Sequence, residues 1–123
     1  MSKTILIADD NDDLRALLAH QLQARGYRIL MASDGAQAVE KCRSDKPDLV
    51  LLDVLMPGKD GAEASAELKE DPSTKNIPII FLTALVRGAE TDNPNPIPGE
   101  RITLPKSVTV EDLIHKIEEA LKK

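Results

Sequence analysis

Five short apolar runs, separated by stretches with helical patterning, most narrow the architectures open to this chain. They lie at 4–8, 28–31, 48–52, 77–82 and 101–104 and are rich in Ile, Leu and Val. Continuous apolar runs of this length suit strands of a parallel sheet covered on both faces. Leu14, Leu17, Leu18 and Leu22 form a helical stripe, with Gly26 where a C′ glycine would stop the helix. Val39 and Cys42 suit a second helix, entered through Ser33-Asp34-Gly35 and followed by Pro47. A third, alanine-rich helix runs from about Gly61 to Glu70 and stops before Asp71-Pro72. In the last helix Thr109 and Asp112 read as a capping box, and Val108 can staple onto Leu113. Leu113, Ile114, Ile117 and Leu121 follow at helical spacing. Strands alternating with helices predict right-handed βαβ units in one sheet, an α/β fold.

The 123 residues suit one domain, 1–123, large enough to bury a core without staples. One cysteine, Cys42, allows no intramolecular disulfide and reads as a small buried hydrophobe; a cytoplasmic location is the expectation. The first apolar run is broken by Asp9, too early for a signal peptide. No apolar stretch approaches the roughly 20 residues that span a bilayer. A net charge of −5 and the lack of a basic run argue against nucleic-acid binding. With one Phe, one Tyr and no Trp, a base-stacking surface is not expected.

Four of the apolar runs end in polar residues that carry chemistry. They read ILIADD (Asp9, Asp10), DLVLLD (Asp53), IPIIFLT (Thr83) and ITLPK (Lys106). If the runs lie parallel, all five groups converge on one sheet edge, where ligands bind in open α/β sheets. Asp9 and Asp10 can reach a shared ion, while Asp12 and Asp13 complement the dipole of the first helix. A carboxylate cluster without Cys or His suits a hard cation such as Mg2+. Asp53 ends the most hydrophobic run, where a carboxylate is costly unless paired or metal-bound. Thr83 places a hydroxyl beside the small Ala84, and a lysine aimed at three carboxylates, as Lys106 would be, has a partner. These are the parts needed to handle a phosphoryl group. His20 and His115 read as surface histidines.

Together these residues resemble the receiver domain of two-component response regulators, over essentially the whole chain. The motif D-x-x-M-P-x-x-D-G is matched by Asp53, Met56, Pro57, Asp60 and Gly61; the acidic pair precedes it, and Thr83-Ala84 and Lys106 follow in the family's order. The resemblance implies a flavodoxin-like (βα)5 fold with strand order 2-1-3-4-5. It implies that Asp53 accepts a phosphoryl group from a histidine kinase, a histidine phosphotransfer protein or a small phosphodonor. Asp9, Asp10, Asp53 and the main-chain carbonyl of Leu55 would hold Mg2+. Lys106 would pair with Asp53 and then with a phosphoryl oxygen, and Thr83 would bond another. The protein would be a signalling switch that catalyses its own phosphorylation and dephosphorylation and acts on a downstream protein target; composition and hydropathy give no membrane or nucleic-acid partner.

Three departures fall on the output side. Ser107 replaces the family's usual proline after the lysine, and Thr103 replaces its aromatic switch residue. Pro94, Pro96 and Pro98 forbid a full helix after the fourth strand, so that helix is expected to be shortened or replaced by a loop. A pseudo-receiver, a binding module not controlled by phosphorylation, is the alternative these departures favour. An aspartate-nucleophile phosphatase would need D-x-D at the first strand, which Asp9-Asp10 does not supply. A flavodoxin-type FMN carrier would need a hydroxyl- and glycine-rich phosphate loop and flanking aromatics.

Overall fold

A computed structural model describes residues 3–53, 61–83, 102–105 and 109–122. Within them lie β1 (Thr4–Ala8), α1 (Asp12–Gln23), β2 (Arg28–Ala32), α2 (Gly35–Asp45), β3 (Leu49–Asp53), α3 (Gly61–Glu70), β4 (Ile79–Thr83), β5 (Ile102–Pro105) and α4 (Val110–Leu121). The strands form one parallel sheet in the order β2-β1-β3-β4-β5, the flavodoxin-like order expected. The region of the expected shortened helix and proline-rich loop, with Leu55, Lys106, Ser107 and the Val108 staple, lies outside the described residues. No described helix is long and apolar enough to cross a membrane.

Side chains alternate across the sheet, so the continuous apolar strands divide into two cores. Leu6, Ala8, Val50, Leu52, Ile79 and Phe81 pack with Ala38, Val39 and Cys42 of α2 and with Ala64 and Leu68 of α3. Ile5, Ile7, Leu49, Leu51, Ile80 and Leu82 pack with Leu18, Ala19 and Leu22 of α1 and with Leu113, Ile114 and Ile117 of α4. Both faces are thereby covered, as a parallel sheet requires.

The element ends carry their own chemistry. Asn11 caps α1 by accepting from the Leu14 N–H at 3.0 Å, and Asp34 caps α2 by accepting from the Gln37 N–H at 2.8 Å. In α4 the Thr109 hydroxyl accepts from the Asp112 N–H at 3.1 Å, as the capping box predicts. Gly26 (φ +97) closes α1 as the C′ glycine expected, its N–H donating to the Gln23 carbonyl at 3.0 Å. The left-handed turn there lets the Tyr27 N–H bond back to the Leu22 carbonyl at 3.2 Å. α2 closes on Lys46 in the left-handed region (φ 46), just before Pro47, which disfavours a further right-handed residue.

β3 starts one residue later than the apolar run suggests and extends through Asp53. Asp48 is taken by β1 at both ends of its chemistry. Its N–H donates to the Thr4 carbonyl at 2.7 Å, and its carboxylate accepts from the Thr4 N–H at 2.8 Å. These bonds pin the register of the two central strands at the end opposite the acids.

Candidate functional site

β1 and β3 are neighbours with Ile5 opposite Leu49 and Ile7 opposite Leu51. Extending that register by two residues sets Asp9 opposite Asp53. Both acids continue the odd-numbered rows of their strands, so the register places them side by side at one edge. Asp9 and Asp53 are 1% and 3% exposed, whereas Asp10, one residue into the turn, is exposed. Each of the three offers a carboxylate oxygen, and these oxygens all lie within 4.8 Å of one another.

The turn from β1 into α1 fixes the acidic pair. The Asp9 N–H donates to the Ala32 carbonyl of β2 at 3.1 Å. Its Oδ1 accepts from the Asn11 N–H at 2.8 Å, and its main-chain carbonyl accepts from Arg15 Nη1 at 2.6 Å. Asp12 and Asp13 fill the first turn of α1, where carboxylates complement the helix dipole. Asp12 is turned to Arg15 Nη2 rather than to the cluster.

The three oxygens fit a small hard cation. Around an octahedral ion with bonds of about 2.1 Å, neighbouring ligand oxygens stand about 3 Å apart and opposite ones about 4.2 Å, so the cluster would draw together around an ion or share it with waters. Carboxylates this close repel one another when ionised, and a divalent ion relieves that repulsion. The donor set is all oxygen, which suits Mg2+ rather than a soft metal.

Thr83 is the last residue of β4, directly after Leu82, the neighbour of Asp53, and opposite Pro105 at the end of β5. Its backbone therefore reaches the same edge. Lys106 and Leu55 fall outside the described residues. Asn11 and Arg15, which hold the acidic turn, were not singled out from the sequence. The Asp12–Arg15 spacing marks a helical pair, but the bond from Arg15 to a main-chain carbonyl has no signature in side-chain pattern. His20 is exposed on α1, as expected, and the imidazole of His115 pairs with Glu119 at 3.2 Å on the exposed face of α4.

The response regulator receiver domain family matches residues 5–118. Protein PilH of Pseudomonas aeruginosa is 36% identical over 118 residues, covering 95% of this chain and 96% of PilH. Response regulator PleD of Caulobacter vibrioides is 44% identical over 85 residues, 69% of this chain but only 19% of PleD. Among solved structures, a putative response regulator from Chloroflexus aurantiacus superposes with a TM-score of 0.85 at 27% identity, covering 100% of both chains. The receiver domain of a Pseudomonas aeruginosa sensor histidine kinase, solved with magnesium coordinated in its active site cleft, gives a TM-score of 0.87 at 25% identity, again over 100% of both chains.

Proposed function

The chain belongs to the response regulator receiver domain family of two-component systems, and from that membership we propose that Asp53 accepts a phosphoryl group in a Mg2+-dependent reaction. Receiver domains are signalling switches that work with histidine kinases or histidine phosphotransfer proteins, and one of these is the proposed donor. The observation that carries this reading is the convergence of Asp9, Asp10 and Asp53 at the C-terminal ends of the two central strands.

Asp9, Asp10, Asp53 and the Leu55 carbonyl would hold the ion. Bound there, Mg2+ would neutralise charge on the transferred group and orient it, which is most of what phosphoryl transfer asks of a protein. An Asp53 carboxylate oxygen attacks phosphorus, and the bond from phosphorus to the donor's leaving nitrogen or oxygen breaks. Lys106 pairs with Asp53 beforehand and with a phosphoryl oxygen afterwards. Thr83 donates its hydroxyl to another phosphoryl oxygen. The acyl phosphate adds negative charge and strong acceptors, and the shift of Thr83 and the segment after it biases two states of the domain. Hydrolysis at the same site resets the switch.

The test is intact mass after incubation with acetyl phosphate or phosphoramidate, with and without Mg2+, beside Asp53→Asn. One phosphoryl adduct that needs both Mg2+ and Asp53 is expected. A folded protein that takes an adduct equally well as Asp53→Asn would overturn the proposal, and one that takes none from either small donor would favour a binding module without phosphoryl control.

A further inference from the structure

Arg15 lies outside the acid cluster but is bonded to its backbone. From the first turns of α1 it reaches back over the helix N-terminus. One guanidinium nitrogen donates to the Asp9 carbonyl at 2.6 Å, and the other pairs with Asp12. Its side chain is only 17% exposed, while that of Asp12 is 83% exposed. Holding a long side chain in one geometry costs rotamer entropy. An exposed i,i+3 pair recovers only a small part of it. The part-buried bond to the Asp9 carbonyl is the second interaction that holds Arg15 in place.

That carbonyl belongs to the peptide joining Asp9 to Asp10. A planar guanidinium presents its donors in fixed directions, so its bond to the carbonyl sets an angle as well as a distance. With the Asp9 N–H held by Ala32 and its Oδ1 by the Asn11 N–H, the Arg15 bond completes the fixation of the Asp9 main chain. We propose that Arg15 is a positioning residue for the cation site: it sets the plane of the Asp9–Asp10 peptide so that both carboxylates converge with Asp53, and it holds Asp12 away from them. This inference rests on reading the three acids as the Mg2+ site.

The test compares the full chain with Arg15→Met, Arg15→Lys and Asp12→Asn. Three readouts are needed: Mg2+ affinity by calorimetry, exchange of the Asn11 amide in EDTA, and Tm in EDTA. Methionine keeps the stem and removes every donor, lysine keeps one donating group, and Asp12→Asn removes the ion pair while sparing the carbonyl bond. Arg15→Met is expected to weaken Mg2+ binding about 10-fold or more, the scale on which outer partners of metal ligands act. It should also speed exchange at Asn11 without metal while Tm in EDTA barely moves. Arg15→Lys should fall between, and Asp12→Asn should bind as wild type. Arg15→Met with wild-type affinity and wild-type Asn11 exchange would overturn the proposal. So would an equal loss in Asp12→Asn. Should Arg15→Met fail to fold, Arg15→Lys decides on the same readouts. If the unaltered chain binds no Mg2+ yet Asn11 exchange responds to Arg15 alone, the Mg2+ reading falls and the positioning of the Asp9 peptide stands.

Discussion

Asp10 is the exposed member of a crowded set of carboxylates, so its removal has opposite consequences with and without a cation. Asp10→Asn keeps the shape and removes one charge from oxygens held within 4.8 Å of one another. In EDTA its Tm is expected to rise by a few degrees, and the further rise on adding Mg2+ to shrink. A lower Tm in EDTA would show that repulsion does not govern this site. Cys42 is buried in the α2–α3 core, and burial pushes its thiol up to about 12. The thiolate is the reactive form, so a thiol reagent at pH 8 should label Cys42 only as fast as the protein opens. Rapid stoichiometric labelling of the folded protein would contradict that burial. Asp9, Asp10 and Asp53 were legible because each closes an apolar run. Leu17 was misread as part of the α1 stripe. It is 51% exposed, and Ala19 takes the core position, because the face that meets the sheet runs through Leu18, Ala19 and Leu22.

At the level of elements, α4 should separate capping from packing. Thr109→Ala removes one hydrogen bond at an exposed helix start and should cost about 1 kcal/mol. Ile117→Ala empties a fully buried site and should cost about 2–5 kcal/mol by denaturant unfolding. Costs in the reverse order would mean that α4 does not pack on the sheet as described. The α3–β4 connection makes a pH prediction. Asp71 accepts from the Ser73 N–H at 2.9 Å, from the Ser73 hydroxyl at 2.8 Å and from Arg43 Nε at 2.8 Å, tying the end of α3 to α2. These bonds, the Ser73 N–H foremost, hold the Asp71 carboxyl below the usual carboxylate range. A depressed folded pKa stabilises the fold above the unfolded value of about 3.9, and that contribution is lost as pH falls below it. Asp71→Asn should therefore flatten the acid limb of the stability profile below about pH 4. An unchanged acid limb would remove Asp71 from the account. The sequence announced Asp71-Pro72 as a stop for α3. It could not announce Arg43, whose partnership depends on α2 and α3 lying side by side.

For the whole molecule, a bound cation acts by mass action. Mg2+ at 100 times its Kd should stabilise the fold by about 2.7 kcal/mol, EDTA should reverse the gain, and Asp53→Asn should abolish it. Thermal unfolding against Mg2+ concentration checks this, and a gain that survives in Asp53→Asn would place the ion elsewhere. The alternation of strands and helices was legible in residue pattern alone. The strand order was not, because periodicity says which segments are strands and nothing about their neighbours; the order came with the resemblance carried by Asp53, Met56, Pro57, Asp60 and Gly61. The pairing of β1 with β3 has one more consequence. Asp9 and Asp53 share the parity of Ile5, Ile7, Leu49 and Leu51, so a slip of one residue in either strand would send that strand's apolar residues to the wrong cores and turn its acid to the opposite face. A misthreaded chain thus cannot assemble the three-acid cluster. The message that such a domain passes on certifies the integrity of the messenger.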